Sequence, residues 1–200
     1  MTLYRLQPAS DRRWWVALFG ITAVVLLLPA LLLLVVPARD VAERVVLGGE
    51  SWEIPLELEC RPSTDVLHSG WSCGELQVQT LLVEGGEDPD RTLRRMMRTM
   101  LIMPPPRDAE ILKEGDARML IDDTTWSVGL SLEGTGERAG LTIVTVLTGP
   151  GWAISPVADD VWREYTGQGL PEIVREAIEA PPRGVPEGFR IPFEPEVLTA

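Results

Sequence analysis

Of the 200 residues, one is histidine, one (Lys113) is lysine, two are cysteine and none is asparagine. A single histidine excludes any site built on several imidazoles, and with it the common catalytic zinc arrangements. Without asparagine there is no acceptor for N-glycosylation. No P-loop and no G-x-G-x-x-G occurs. The glycines of "EGTGERAG" fall between two strand-like runs rather than before a helix, so they offer no helix N-terminus to an anion. A hydrolase triad would have to combine His68 with Ser69 or Ser72. Two adjacent carboxylate pairs exist, Asp122–Asp123 and Asp159–Asp160. Neighbours in a strand or turn point apart, and the second pair is expected in the first turn of a helix, where negative charge is favoured anyway. No catalytic residue, no metal ligand and no cofactor site is assigned, and the expectation is a protein without enzymatic activity. A hydrolase ranks third, because carboxylate-only sites can hide from sequence.

Positive charge is also scarce: 18 Lys and Arg stand against 30 Asp and Glu, for a net charge of -12. Residues 1–39 hold four arginines and one aspartate, a net +3, so the rest carries -12 minus +3, or -15. Such a surface repels nucleic acid and anionic headgroups, so no nucleic-acid partner is expected. It serves solubility first, and basic partners second.

One feature is abundant. From Trp14 to Val36, "WWVALFGITAVVLLLPALLLLVV", no residue is charged. As a helix the run would extend about 34 Å at ~1.5 Å per residue, against a hydrocarbon core of about 30 Å. Its Leu, Ile, Val and Phe residues contribute on the order of -5 to -9 kcal/mol of insertion free energy, enough to absorb Pro29 at mid-span. Arg5, Arg12 and Arg13 precede the run, and Arg39 and Arg44 follow it. This modest arginine excess places the N-terminus in the cytoplasm and the remainder outside, in a single-pass plasma-membrane topology. "VPA" at residues 36–38 has the small residues of a signal-peptidase site, but the apolar run is far longer than the usual ~7–15 residues of a cleaved signal. "DRRWWV" is faintly similar to a twin-arginine export signal, and a plain positive flank explains it as well. The expectation is an uncleaved anchor: a cytoplasmic segment over 1–13, a membrane helix over 14–36, a linker over 37–49, a folded domain over 50–180 and a proline-rich tail over 181–200.

Cys60 and Cys73 both fall in the outer part, where oxidising compartments favour a disulfide. A redox pair or metal site with His68 between them is the alternative, and the spacing is neither C-x-x-C nor that of a zinc site.

Within the outer domain, "DPDRTLRRMMRTMLIMPPP" reads as an amphipathic helix. Asp88 is an N-cap residue, and Pro89 suits the first helical position. Leu93, Met96, Met97, Met100 and Leu101 recur with helical spacing on one face, with Arg91, Arg94, Arg95 and Arg98 opposite. Three prolines, Pro104 to Pro106, end it. The arginine stripe reads as a solvated face or as a docking surface for an acidic partner or for lipid phosphates. "SWEIPLELE", "ELQVQTLLV", "ARMLID", "TTWSVGLSLEG" and "GLTIVTVLTG" read as strands, the last two as a hairpin; "GWAI" ends that strand or starts another. A second helix is expected from Ser155, with Val157, Val161, Trp162 and Tyr165 inward, and a third with Ile173, Val174, Ala177 and Ile178 inward. The tail is expected to be extended or disordered, with Phe189, Ile191 and Phe193 as a peptide ligand for a partner.

Strands, a helix, an antiparallel run of strands and then helices make an α+β pattern, with a mostly antiparallel sheet packed by two or three helices. The "DPD"-capped helix, the "TWSVGLSL…GLTIVTVLTG" meander and the helix after it resemble the PsbP/Mog1-type α/β sandwich of exported actinobacterial proteins, over roughly residues 50–180. The resemblance implies a binding or assembly-accessory module. The membrane run and the absence of a lipobox cysteine depart from it. The first expectation is an anchored protein-binding module, an accessory or assembly subunit of an envelope complex in transport, secretion or respiration. The alternative is a tethered domain that holds a lipid or small molecule, with Trp71, Trp126, Trp152 and Trp162 as candidate pocket residues.

Overall fold

The structure, a computed structural model, describes residues 12–35, 41–63, 70–86, 88–101 and 104–181. His68, Ser69, Phe189, Ile191 and Phe193 lie outside the described residues. The chain divides into two compact units, Met1–Val41 and Ala42–Ala200.

The first unit contains helix α1, Arg12–Val35. Side chains are described for 14–28, and those from Trp14 to Leu28 include exposed apolar residues on every side of the helix. The rings of Trp15 and Phe19, one turn apart, stack at 5.8 Å. Among the described residues, no helix is long and apolar enough to cross a membrane.

The second unit is α+β. Its elements are β1 (Glu43–Gly49), β2 (Trp52–Pro62), β3 (Trp71–Cys73), β4 (Leu76–Glu84), α2 (Pro89–Leu101), β5 (Ile111–Glu114), β6 (Ala117–Asp122), β7 (Ser127–Glu133), β8 (Leu141–Thr148), α3 (Gly151–Thr166) and α4 (Glu172–Glu179). The eight strands form one sheet in the order β1-β2-β3-β4-β8-β7-β6-β5, and every pairing is antiparallel.

Alternation along β8 explains the layering. Ile143 and Leu147 face one side of the sheet and Val144 and Val146 the other, and all four are buried. On the second side sits α2, whose Leu93 and Met97 pack on Leu120, Val144 and Val146. The approach is close: a Cβ on Gly129 of β7 would lie 2.3 Å from the Met97 sulfur, so any side chain there would force Met97 to move. Asp88 caps α2 as expected, its Oδ1 accepting from the amides of Asp90 (3.1 Å) and Arg91 (3.2 Å). On the first side lie α3, with Ile154, Val157, Val161, Trp162 and Tyr165 inward, and the β1–β2 hairpin, which contributes Val45, Leu47, Trp52 and Leu56 to the same core. The hairpin is held there by the Gly48 amide, which donates to Thr80 Oγ1 of β4 at 2.9 Å. The Arg138 guanidinium covers Trp52 from the β7–β8 turn, 5.2 Å from the ring.

Several expectations need correcting. The stretch 37–49 is not all linker: Val45 and Leu47 are buried, and 43–49 form β1. "GWAI" is neither a strand end nor a strand start. It forms the first turn of α3, four residues before the predicted start, because Pro150 already ends β8 and supplies the N-cap position. Asp159 and Asp160 are therefore mid-helix, not in the first turn. Pro156 lies inside the helix rather than at its start. Trp126 does not share the inward face of β7; it sits in the preceding turn with φ 49° and is exposed. In α4, Ile178 is buried and Val174 half-buried, but Ile173 (75 % exposed) and Ala177 point away from the core.

Candidate functional site

Among the described residues the sheet ends at β5, a strand of four residues paired on one side with β6. Two arrangements leave space beside it. The first concerns α4, which packs on α3 rather than over β5. A Cβ on Gly151 would lie 2.3 Å from the Ile178 carbonyl oxygen, so the start of α3 and the end of α4 touch through backbone. Asp159, almost buried on α3, fixes the connection. It accepts the Leu170 amide at 2.6 Å and the Arg175 guanidinium at 3.3 Å, and it pairs with Arg163. Held this way, α4 leaves Ile173 and Ala177 facing outward beside the sheet edge.

The second arrangement is the segment that leads from α2 into β5. Arg94 is half-buried and donates to the carbonyls of Pro106 (3.0 Å) and Ala109 (2.5 Å). It leaves the predicted stripe and instead ties this segment to α2. Of the four arginines, Arg91, Arg95 and Arg98 remain exposed on one face. On the far side of β5, Asp90 pairs with Lys113 (2.5 Å) and Arg118 (3.4 Å).

The result is a groove of about 850 Å³ between β5–β6 and α4. Leu112, Met119 and Ile121 form its apolar floor, and Ile173, Val174 and Ala177 one wall. Asp108, Glu110, Lys113 and Asp123 stand around it, three acids against one base. None of Trp71, Trp126, Trp152 or Trp162 lines it: Trp162 is core, Trp71 packs on the core, and the other two are exposed elsewhere. The floor follows from register. Leu112 pairs with Met119 across β5 and β6, and Ile121 follows two residues on, so all three project from one face. The groove escaped sequence analysis because β5 went unrecognised. "ILKEGDARMLID" carries a Gly-Asp turn between two short strands, and that was the available signal.

The other predicted sites are placed as follows. Cys60 and Cys73 form a disulfide with a Cα–Cα distance of 4.8 Å, joining β2 to β3. Asp122 is buried and satisfied locally, accepting from the Thr124 amide (2.9 Å), Thr124 Oγ1 (2.6 Å) and Thr125 Oγ1 (2.8 Å), so it acts as a turn cap. Among the described residues, no group of three or more His, Cys, Asp or Glu could hold a metal ion. Among the described residues, Tyr165 is a strongly perturbed acid. Burial pushes its phenol well above the usual range, and its hydrogen bond with Thr145 Oγ1 (3.0 Å) offsets part of that. It belongs to the core and lies away from the groove. Compared with models of known protein families, with curated proteins and with solved structures, the chain matches none.

Proposed function

We propose that the chain is a membrane-anchored protein-binding module whose outer domain docks an extended apolar segment of an envelope protein in the groove beside β5. In this proposal it is an accessory or assembly subunit of a membrane complex, in transport, secretion or respiration, and has no catalytic step and no cofactor. The groove carries the reading. A sheet edge without a neighbour among the described residues, beside an apolar trough, is the geometry that takes an added strand, with main-chain hydrogen bonds giving affinity and side-chain pockets giving register. The tether rests on α1, whose 24 helical residues would extend about 36 Å, and on the uncharged run from Trp14 to Val36. The N-terminus is cytoplasmic and the domain extracytoplasmic, which agrees with the pairing of both cysteines. An antiparallel sheet with helices on both faces is compatible with the PsbP/Mog1-type resemblance, which stays part of the proposal.

The test uses full-length protein in mild detergent. Ile173→Glu with Ala177→Glu places two carboxylates on exposed positions of the wall, so thermal stability should move by no more than about 0.5 kcal/mol. Recovery of the co-purifying envelope protein should fall at least tenfold. Unchanged recovery would remove the groove as the docking site. A second reading, a lipid or small-molecule site, draws on the groove's volume, which lies within the ~300–1,000 Å³ of ligand pockets. A stoichiometric lipid in the purified protein, lost in the same variant, would favour it.

A further inference from the structure

We propose that the end of the α+β unit that carries Trp126 and Trp152 lies against the bilayer, with both indoles in its headgroup layer. The inference rests on the anchored reading of the uncharged run, and adds which end of the unit faces the membrane.

Three observations converge. The first is where the chain enters the fold. One row of strand partners runs Ser127, Thr148, Gln77, Ser72 and Arg61 across β7, β8, β4, β3 and β2. Beside Arg61, Cys60 pairs with Glu43, the first residue of β1, and the disulfide ties Cys60 to Cys73, next to Ser72. Strand β1 therefore begins at the same end of the sheet where β7 starts and β8 stops. Six residues, 37–42, separate Glu43 from the uncharged run that ends at Val36, a reach of at most ~23–25 Å at ~3.3–3.6 Å per residue. A chain held in a bilayer by that run brings this end of the sheet to it first.

The second is what this end displays. Trp126 directly precedes β7 and Trp152 lies in the first turn of α3, just after β8, and they are 46 % and 67 % exposed. The Gly149 amide donates to the Trp126 carbonyl at 3.1 Å, and Trp152 follows Gly149 by three residues, so both belong to this end. Trp126 has φ 49°, a left-handed conformation rare for a bulky residue. The turn before it enforces this: Thr125 Oγ1 donates to Asp122 Oδ2 and is hydrogen-bonded to Ser127 Oγ, each at 2.8 Å. A strained backbone that leaves an indole in solvent, and not in the core, is the pattern of a contact site and not of packing.

The third is the chemistry of the surroundings. Exposed Glu43, Glu75 and Glu179 stand at this end with exposed Arg44 and Arg61, three acids against two bases. That balance gives anionic headgroups no hold. The ligand is therefore a zwitterionic headgroup layer, where Trp concentrates because its ring is apolar and its N–H polar. Asp123 and Ala180 line both the groove and the hollow beside Trp126, so the groove adjoins this end, within reach of a membrane-embedded partner.

The experiment uses full-length protein in phosphatidylcholine vesicles that carry a nitroxide on some headgroups. Cys60 and Cys73 are paired, so Glu75→Cys at this end and Glu137→Cys in the β7–β8 turn at the other each accept one fluorophore. The two ends are on the order of 25 Å apart along the eight residues of β8, so the headgroup nitroxides should quench position 75 and spare position 137. Trp126→Gly with Trp152→Ser should abolish the difference; glycine suits the φ of 49° there, and Trp152→Ser alone, at an exposed position, should reduce it. Equal quenching at the two positions overturns the proposal, and so does a difference that both variants leave intact. Loss of the co-purifying protein in these variants with the difference unchanged would assign the pair to a protein contact, and overturn it too. A chain extracted from the vesicles by alkaline washing overturns the anchored reading itself. A chain that stays while both positions quench alike overturns only the orientation, so the two failures are distinguishable.

Discussion

Breaking the Cys60–Cys73 disulfide should cost the α+β unit about 3 kcal/mol. The bond closes a loop with a sequence separation of 13. Constraining the unfolded chain over a loop of about 14 residues removes roughly 10 cal/mol/K of entropy, or about 3 kcal/mol at 25 °C. Strand β3 has only three residues and pairs with β2 through two positions, so few other contacts replace the bond. Cys60 is 3 % exposed, so losing its sulfur adds a small packing cost to the entropic one. The perturbation is Cys60→Ala with Cys73→Ser, compared with reduced and oxidised parent. Urea unfolding of full-length protein in detergent, followed by tryptophan fluorescence, reads the core directly, because Trp52 and Trp162 are buried. With a slope of about 1.5–2 kcal/mol/M the midpoint should fall by about 1.5–2 M, and Tm by about 6–12 °C. A loss under about 0.5 kcal/mol, equal in variant and reduced parent, would refute the view that this bond holds β2 to β3.

Two further outcomes follow from buried polar groups. Tyr165 ionises above its ordinary value of 10.0 in the folded state because burial disfavours the phenolate. Its contribution to stability is complete below about pH 10 and lost as pH rises toward the folded-state value, at about 1.4 kcal/mol per pH unit. Tyr165→Phe should flatten the alkaline limb of a stability–pH profile; an unchanged slope above pH 10 would contradict the assignment. Arg94→Gln should cost about 1–3 kcal/mol, since it removes the guanidinium donor from the Ala109 carbonyl and one of two donors from the Pro106 carbonyl, whereas replacing Arg91, Arg95 and Arg98 together by glutamine should change stability by no more than about 0.5 kcal/mol. Chemical denaturation of both variants checks this, and equal losses would show that Arg94 has no special place.

Much of the core was legible because periodicity reports burial. The alternation in β2, the inward residues of α3 and the Leu–Met face of α2 appear where spacing puts them. The short strands β1, β3 and β5 were not legible. A run of three to seven residues gives too few periods to stand out, and partners distant in sequence define it instead. The groove was lost with β5, for a groove exists only where an edge and a helix fail to meet. Arg94 illustrates a second limit. Helical spacing puts it with Arg91, Arg95 and Arg98, but a flexible side chain reaches back to whichever carbonyls are unsatisfied, and only the fold decides which those are. Ile173 is a third case. Its spacing suits a core position, yet α4 is turned by the Asp159–Arg175 contact so that this residue faces the groove.

The proposed tether requires the docking domain to lie outside the bilayer. The direct measurement is labelling of single introduced cysteines in intact cells with a membrane-impermeant maleimide, one at Thr2 and one at exposed Glu57. The thiol at position 57 should react in intact cells and the thiol at position 2 only after lysis, with the chain staying in the membrane pellet after alkaline washing. Labelling at position 57 that also requires lysis, or full-length chain in the soluble fraction, would contradict the account.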